Sequence, residues 1–315
     1  MELYCHRGWM LTMDQSIDVP SFIQHKKSQC GKLIEYGIWK GIDSNDLSAW
    51  LKNFSTEQEK YFAACIMDWL VYRNDDHVDS MLFDLLTRHL HNQWRIDKNS
   101  NYDSLKNPLE ILSSKWDFKK YPLRYVTAVT KKDRGTKSGY HIISVLNHNL
   151  GVSERYNISP DEVQKSYEQD GIRTFLFFDD IIGTGEQMKT VLRETGITQY
   201  TDISIYVLVC AAHEVGVEIL TKEFPHIKIL YAEFIPRDSN IFHNLPYSVF
   251  EIDTPEEMHK WYVNFMKGKK VSTGNSCGRG DLGLVYAFQN NVPNNCLPIL
   301  FYENEQLVKL LKKRG

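Results

Sequence analysis

The chain reads as an α/β protein with a mainly parallel sheet flanked by helices, an N-terminal helical extension and an irregular C-terminal segment. Three observations predict this class. Short apolar, β-branched runs recur between Leu123 and Ala232, with helix-length stretches between them. Upstream, apolar residues return at helical spacing. Downstream of Gly268 the chain becomes rich in Gly and Asn (VSTGNSCGRGDLG, then NNVPNN).

In the first third, Ser55-Thr56-Glu57-Gln58 predicts a capping box, with the Ser and Gln side chains satisfying first-turn amides. Phe62, Ile66, Trp69, Leu70 and Arg73 follow at helix spacing. Asp75 and Asp76 open a second helix whose buried stripe is Val78, Leu82, Leu85, Leu86 and Leu90. Two adjacent amphipathic helices suggest a hairpin or small helical layer, serving as a cap, a dimerisation surface or a docking surface. A polar stretch from Asn99 to Pro108 sets a boundary between 1–107, the helical region, and 108–315, the α/β domain with its C-terminal lid or tail.

Beyond that boundary, Leu123–Thr130 is the first expected strand. A basic, Gly-bearing loop follows, then a helix from Tyr140 to Asn149. Phe175–Phe178 is continuously apolar, as a strand covered on both faces should be. Strands are expected again at Ile203–Val209 and Ile227–Ala232, with helices around Gln187–Glu194 and Val215–Phe224. Such alternation implies right-handed crossovers, and in open sheets of this kind ligands bind at the carboxyl ends of the strands. Thr254-Pro255-Glu256-Glu257 starts a later helix, with Met258, Trp261 and Phe265 on its apolar face. A charged C-terminal helix ending Lys312-Lys313-Arg314 closes the chain.

Composition excludes several classes. Hydrophobic residues make up 42% and charged residues 24%, ordinary for a globular protein, and the formal charge of −3 gives no general affinity for nucleic acid or anionic lipid. MELYCHRGWMLTMDQSIDVP does not read as a signal peptide, and no window has the apolar run of a membrane helix. Cys5, Cys30, Cys65, Cys210, Cys277 and Cys296 are scattered without a Cys-x-x-Cys pair, so reduced thiols in a cytoplasm are expected, mostly as small buried hydrophobes. A zinc site is the alternative that this spacing does not favour. There is no Walker loop, dinucleotide fingerprint or nucleophile elbow.

The stretch that carries chemistry is TFLFFDDIIGTGEQM, Thr174 to Met188. Asp179 and Asp180 stand side by side at the end of an apolar strand. The turn after them has Gly183, Thr184 and Gly185, followed by Glu186 and Gln187 at the start of a helix. Glycines let successive amides face one concavity, Thr184 adds a hydroxyl, and the helix brings its positive end. That arrangement suits a phosphate, while two carboxylates suit vicinal hydroxyls or a hydrated Mg²⁺. Phosphate at one end and diol at the other describes a ribose 5-phosphate. A solvated strand exit, with Asp180 capping a turn, is the competing reading. His141 and His148 share a helix face but lie too far apart for one metal. His213 either reaches the ligand or caps the next helix. Arg279 and Asp281 belong to a lid or, more simply, to a surface loop.

Apolar strand, Asp-Asp, two aliphatics and a small-Thr-Gly turn together resemble the phosphoribosyl pyrophosphate motif of type I phosphoribosyltransferases. The resemblance covers Leu123 to Ala232. It implies a second, basic loop for the diphosphate, and Lys131–Gly139 stands in the right order, with Lys132, Arg134, Gly135, Thr136 and Lys137 as its contacts. Two positions depart from the pattern: Gly183, where a small side chain is usual, and Gln187, where Thr or Ser is usual. With the helical N-terminal region and Asn294-Asn295 in VPNNCLPILFY, the variant resembles a divergent branch encoded in bacterial anti-phage loci, some beside retron reverse transcriptases. Gly280-Asp281 matches that branch more loosely.

The resemblance implies Mg²⁺ as cofactor, Asp179 and Asp180 as its ligands and as the catalytic pair, and Gly183, Thr184, Gly185, Glu186 and Gln187 beside the ligand's phosphate. It implies an enzyme acting at the anomeric carbon, by glycosyl transfer or nucleotide cleavage, in a defence setting. The alternative is a non-catalytic module that senses phosphoribosyl pyrophosphate or a nucleotide and works through protein partners. Expected partners are a phosphorylated ribose or nucleotide and a reverse transcriptase–nucleic acid complex or another defence protein. A second copy of the chain is a further candidate partner, and no membrane is expected.

Overall fold

The computed structural model describes residues 18–97, 106–127 and 139–313. Seven strands are present among them: β1 (Val71–Arg73), β2 (Leu123–Thr127), β3 (Asn157–Ile158), β4 (Thr174–Ile182), β5 (Ser204–His213), β6 (Lys228–Ile235) and β7 (Tyr286–Phe288). Five of them make one sheet in the order β3-β2-β4-β5-β6, parallel throughout. β1 and β7 form a separate parallel pair.

The central strand explains the layering. Thr174-Phe-Leu-Phe-Phe is buried along its whole length because alternate side chains enter different cores. Phe175 and Phe177 pack with Val191, Leu192, Val207 and Leu220. Leu176 and Phe178 face the opposite layer, with Tyr125, Leu208 and the helices and loops of both chain ends. Burying side chains of this size contributes roughly 1.5–3 kcal/mol each, so the strand is anchored from both sides.

The expected strands at 123, 175, 203 and 227 all form, and β4 and β5 run on past their predicted ends to Ile182 and His213. The paired carboxylates therefore lie inside β4 rather than after it. The helices expected around 187, 215 and 255 form as Glu186–Thr195, Glu214–Glu223 and Pro255–Gly268. Gly139–Ser144 continues as a π-helix through Val145–Asn149, covering the stretch predicted for a helix there. Residues 128–130 of the first expected strand, and Lys131 to Ser138, fall outside the described residues.

Three expectations near the ends are corrected. The first capping box uses Thr56 and Glu59, one residue later than Ser55 and Gln58: Thr56 Oγ1 accepts from the Glu59 amide at 3.2 Å, and Glu59 Oε2 accepts from the Thr56 amide at 3.3 Å. That helix, Glu57–Trp69, is buried from Tyr61 to Met67 on every side, while Trp69 is exposed and Arg73 belongs to β1. It lies between the Val19–Glu35 helix and the aromatic residues Phe250, Trp261 and Tyr262, which is why no single stripe marks it. β1 also separates it from the Asp75–Asp84 helix, so the two do not make a simple hairpin. The second helix buries Val78, Leu82, Leu85, Leu86 and Leu90 as the spacing predicts, passing through a π-helical turn at Leu85–Leu90.

The third correction concerns the C-terminus, where no helix forms over the described residues 301–313. The amides of Leu310 and Leu311 donate to Leu300 O at 3.0 and 2.8 Å, so this backbone bonds to a distant neighbour instead of its own preceding turn. The segment is fastened to the N-terminal helices. Trp50 Nε1 donates to Ile299 O at 2.8 Å, and the Asn53 side chain exchanges bonds of 2.7 and 2.9 Å with the Val308 backbone. Arg73 of β1 and Tyr286 of β7 both donate to Glu233 of β6, which joins the small pair to the edge of the main sheet. The two chain ends thereby sit against one face of the sheet, next to the carboxyl end of β4.

Candidate functional site

Among the described residues β4 pairs with β2 over Leu123↔Thr174 to Thr127↔Phe178, and with β5 as far as Ile182↔Ala212. On that side the register passes Asp179↔Val209 and resumes at Ile181↔Ala211, skipping Asp180. The two carboxylates thus stand near the carboxyl end of the central strand, at the end of the sheet where open α/β folds place their ligands.

Asp179 is 2% exposed and Asp180 7% exposed. Burial of two adjacent carboxylates is costly unless their oxygens are met. Each first oxygen accepts from the next residue's amide: Asp180 N–H to Asp179 Oδ1 at 3.0 Å, and Ile181 N–H to Asp180 Oδ1 at 2.8 Å. Each second oxygen accepts from a side-chain amide. Gln187 Nε2 donates to Asp179 Oδ2 at 3.0 Å, and Asn291 Nδ2 donates to Asp180 Oδ2 at 2.9 Å. Gln187 comes from the helix after the turn and Asn291 from the far C-terminal segment, so each layer of the fold meets one carboxylate.

Neutral amides satisfy these oxygens without cancelling their charge. Burial, with Asp180 beside it, holds the Asp179 carboxyl well above the usual carboxylate range. A cation or a pair of hydroxyl donors at this point would be favoured by the same electrostatics.

The turn is shaped by what packs behind and in front of it. Gly185 adopts φ +81°, a left-handed conformation that glycine takes readily, and caps the Glu186–Thr195 helix. Behind, Gly216 of the Glu214–Glu223 helix lies so close that a Cβ there would sit 2.3 Å from Gly183 O. In front, a Cβ on Gly183 would sit 1.9 Å from Asn295 Oδ1. The side-chain amide of Asn295 takes the space that a residue at 183 would use. This explains why glycine stands at 183, where the resembling enzymes carry a small side chain.

The roof over the turn is a knot of backbone and amide bonds. Asn295 Nδ2 donates to Arg279 O at 2.7 Å, and Arg279 N–H donates to Asn294 O at 2.7 Å. Lys313 Nζ donates to Asn294 Oδ1 at 2.6 Å. Gly278 admits the Asn295 carbonyl, which a Cβ would meet at 2.2 Å, and Gly280 admits the methyl of Thr184 at 2.4 Å. The resulting pocket is lined by Asp179 to Gly185, Gln187 and Met188 on one side. On the other stand Arg279, Asn291 to Asn295 and Lys313. Two carboxylates, a glycine turn and two cations share one cleft.

Of the residues singled out in the sequence, Asp179, Asp180, Gly183, Thr184, Gly185 and Gln187 line this pocket. Glu186 does not, and lies 3.6 Å from Lys189 on the outside of its helix. Lys132, Arg134, Gly135, Thr136 and Lys137 lie outside the described residues. Asn291 and Lys313 were missed. The sequence places Lys313 in a helix, and nothing in the spacing of Asn291 relates it to Asp180, 111 residues away. Arg279, expected in a lid or a surface loop, stands among the lining residues. The signal that was present is the density of Gly and Asn between 278 and 295, which marks a segment making close backbone approaches.

The histidines resolve toward structure. His213 caps the Glu214–Glu223 helix, its Nδ1 accepting from the Val215 amide at 3.2 Å, and burial lowers its basicity. His141 lies 3.3 Å from Asp75. Cys30, Cys65, Cys210, Cys277 and Cys296 are buried free thiols.

A five-stranded parallel sheet whose central strand carries Asp-Asp near its carboxyl end, against a Gly-Thr-Gly turn and a helix start, defines a phosphoribosyltransferase-like protein. Comparison with family models agrees: the PRTase-CE model matches residues 47–313, and the chain belongs to this phosphoribosyltransferase-like family. The match takes in the helices from Glu57 onward and the asparagine segment as well as the sheet. No curated protein sequence matches the chain. Among the described residues, no helix is long and apolar enough to cross a membrane.

Proposed function

We propose that the pocket binds a ribose 5-phosphate of the phosphoribosyl pyrophosphate type, together with Mg²⁺, and that the protein acts at its anomeric carbon. The observation that carries this reading is the shared cleft: paired buried carboxylates, the Gly183–Gly185 turn and the cations Arg279 and Lys313. Asp179 and Asp180 would hold the ribose hydroxyls and the metal. Their oxygen donors suit a hard divalent ion, and a cation there would offset the burial and the Asp180 charge that raise Asp179. Bound there, the ion would supply neutralising charge to the diphosphate.

The chain's own residues then position and balance charge. Thr184 and the turn amides, at the positive end of the Glu186–Thr195 helix, would take the 5′-phosphate. Lys132, Arg134, Gly135, Thr136 and Lys137 would take the departing diphosphate, with Arg279 and Lys313 adding positive charge from the roof. A reaction through an oxocarbenium-like state needs such placement of charge more than a strong nucleophile.

A second reading is favoured by a specific observation. The carboxylates are already held by Gln187 and Asn291, and Asn295 fills the space at Gly183. A site closed in this way suits a sensor that binds phosphoribosyl pyrophosphate or a nucleotide and signals through protein partners. Likeness to the anti-phage branch supports a cytoplasmic role in bacterial defence beside a reverse transcriptase–nucleic acid complex or another defence protein.

The deciding experiment is titration of the full chain with phosphoribosyl pyrophosphate and Mg²⁺, followed by assay for released pyrophosphate with bases, nucleotides and water as acceptors. Binding with release supports the enzyme, and binding without release supports the sensor. No binding, with the fold intact, sinks both. Phage plating on cells with and without the gene tests the defence setting, which equal plaque counts would refute.

A further inference from the structure

A second cluster of chemically able side chains lies beneath the roof, away from the acidic turn. His259 projects from the Pro255–Gly268 helix, and Cys277 and Asp281 come from the loop that also carries Arg279. The ligating atoms of these three all lie within 4.8 Å of one another. His243, Glu256 and Phe242 line the same small cavity. We propose that His259, Cys277 and Asp281 form a zinc site that fastens the loop carrying Arg279 to the helix behind it.

Geometry and ligand chemistry both carry the inference. Zinc–sulfur and zinc–nitrogen bonds of about 2.3 and 2.0 Å place tetrahedral ligand atoms roughly 3.5 Å apart, so side-chain shifts of the order of 1 Å would close the site. A thiolate with an imidazole selects zinc over magnesium or calcium, which prefer oxygen donors. His243 or Glu256, which line the same cavity, or water would supply the fourth ligand. On binding, the Cys277 thiol gives its proton to solvent as the sulfur–zinc bond forms.

The loop's backbone is shaped to converge on this point. Gly278 and Gly280 have φ of +82° and +75°, and Asp281, which has a side chain, is held at +52°. A non-glycine residue in that region is strained and persists where its surroundings over-determine it. His259 is fixed as well, its ring 5.6 Å from that of Phe242. Cys277 is 1% exposed while Asp281 is exposed, so the cluster runs from the core to solvent and offers an ion an entry path.

The consequence reaches the first pocket. Arg279 lies between the two loop ligands, and Gly280 touches Thr184 of the acidic turn. An ion holding Cys277 and Asp281 would set where the Arg279 guanidinium and the roof sit above Asp179 and Asp180. The zinc site stands on its own residues, whatever ligand the acidic pocket takes.

The test uses the untagged full chain, purified without chelators, with metal content measured by mass spectrometry and Co²⁺ then exchanged in as a spectroscopic probe. The expected result is one zinc per chain and a sulfur-to-cobalt charge-transfer band. Cys277→Ser should abolish the band, and Asp281→Asn should weaken Co²⁺ binding by at least the roughly 10–100-fold that loss of an outer-shell partner costs. A chain that takes up no zinc or cobalt against a weak chelator would overturn the proposal, as would a band unchanged in Cys277→Ser. Where Cys277→Ser does not fold, Asp281→Asn decides, because that carboxylate is exposed: unchanged affinity refutes the site.

Discussion

The acidic turn and the asparagine-rich roof meet in one cleft, yet they are built in opposite ways. The turn is local. Within Thr174–Gln187 a strand, two carboxylates, a glycine bend and a helix cap succeed one another, and most of its bonds join residues eight apart or fewer. The roof is assembled from 279, 291, 294, 295 and 313, held by the loop's own bonds and by the N-terminal helices through Trp50 and Asn53. The turn's shape is therefore set by residues close in the chain, while a segment far away in the chain decides how Asp180 is held.

The largest effect should come from emptying the turn of charge. Asp179→Asn with Asp180→Asn is expected to weaken binding of phosphoribosyl pyrophosphate with Mg²⁺ by about 100-fold or more, since charged hydrogen bonds contribute about 1.5–3 kcal/mol each. Calorimetric titration reads this, and circular dichroism should show the fold retained. Retained affinity would mean the roof, not the turn, binds the ligand.

The next effect couples the two regions. Gly183→Ala drives a methyl into Asn295 and should cost about 1–3 kcal/mol in urea unfolding, the usual range for overpacking. Asn295→Ala in the same chain should recover much of that loss. A double-mutant cycle with no coupling would break the view that the roof rests on this glycine.

A somewhat smaller change is expected from Asn291→Ala, which leaves Asp180 Oδ2 without its amide donor. The expected cost is about 1–2 kcal/mol of stability without ligand. Added Mg²⁺ should reduce the difference from wild type, as read by thermal shift.

The smallest effect concerns pH. A buried carboxyl whose affinity for a proton is raised by folding destabilises the fold once it must ionise. The penalty begins as pH rises past the ordinary value near 4, grows up to the raised native value, and is constant above it. Asp179→Asn alone should therefore be more stable than wild type near pH 7, by about 1 kcal/mol or a Tm gain of about 2–4 °C, with the gap narrowing toward about pH 4. An equal gap at both pH values would show that Asp179 is not the ionising group.

What was legible in the sequence follows this division. β4, the carboxylates, the bend and the following helix could be read because each depends on neighbours within a few residues: an apolar run, a glycine, a cap. Even so, β4 extends beyond its expected end, because Asp179 and Asp180, poor strand formers, are carried through to Ile181 and Ile182 by the ladder on β5. The tail was misread as a helix for the converse reason. Leu307, Leu310 and Leu311 fit a helical stripe, but their backbone and side chains are used by Leu300 and the N-terminal core. Asn291 could not have been found, since a single amide reaching a carboxylate across 111 residues leaves no periodic trace.

By itself, then, the chain's order of residues determined the parallel sheet, its central apolar strand and the acidic bend, because backbone stereochemistry and side-chain alternation act over short distances. Long-range packing placed Asn295 in the space above Gly183, Gln187 and Asn291 on one carboxylate each, and Arg279 and Lys313 in the same cleft. Those contacts arise where segments far apart in the chain are pressed together by a shared core, and their positions are set by packing rather than by local preference.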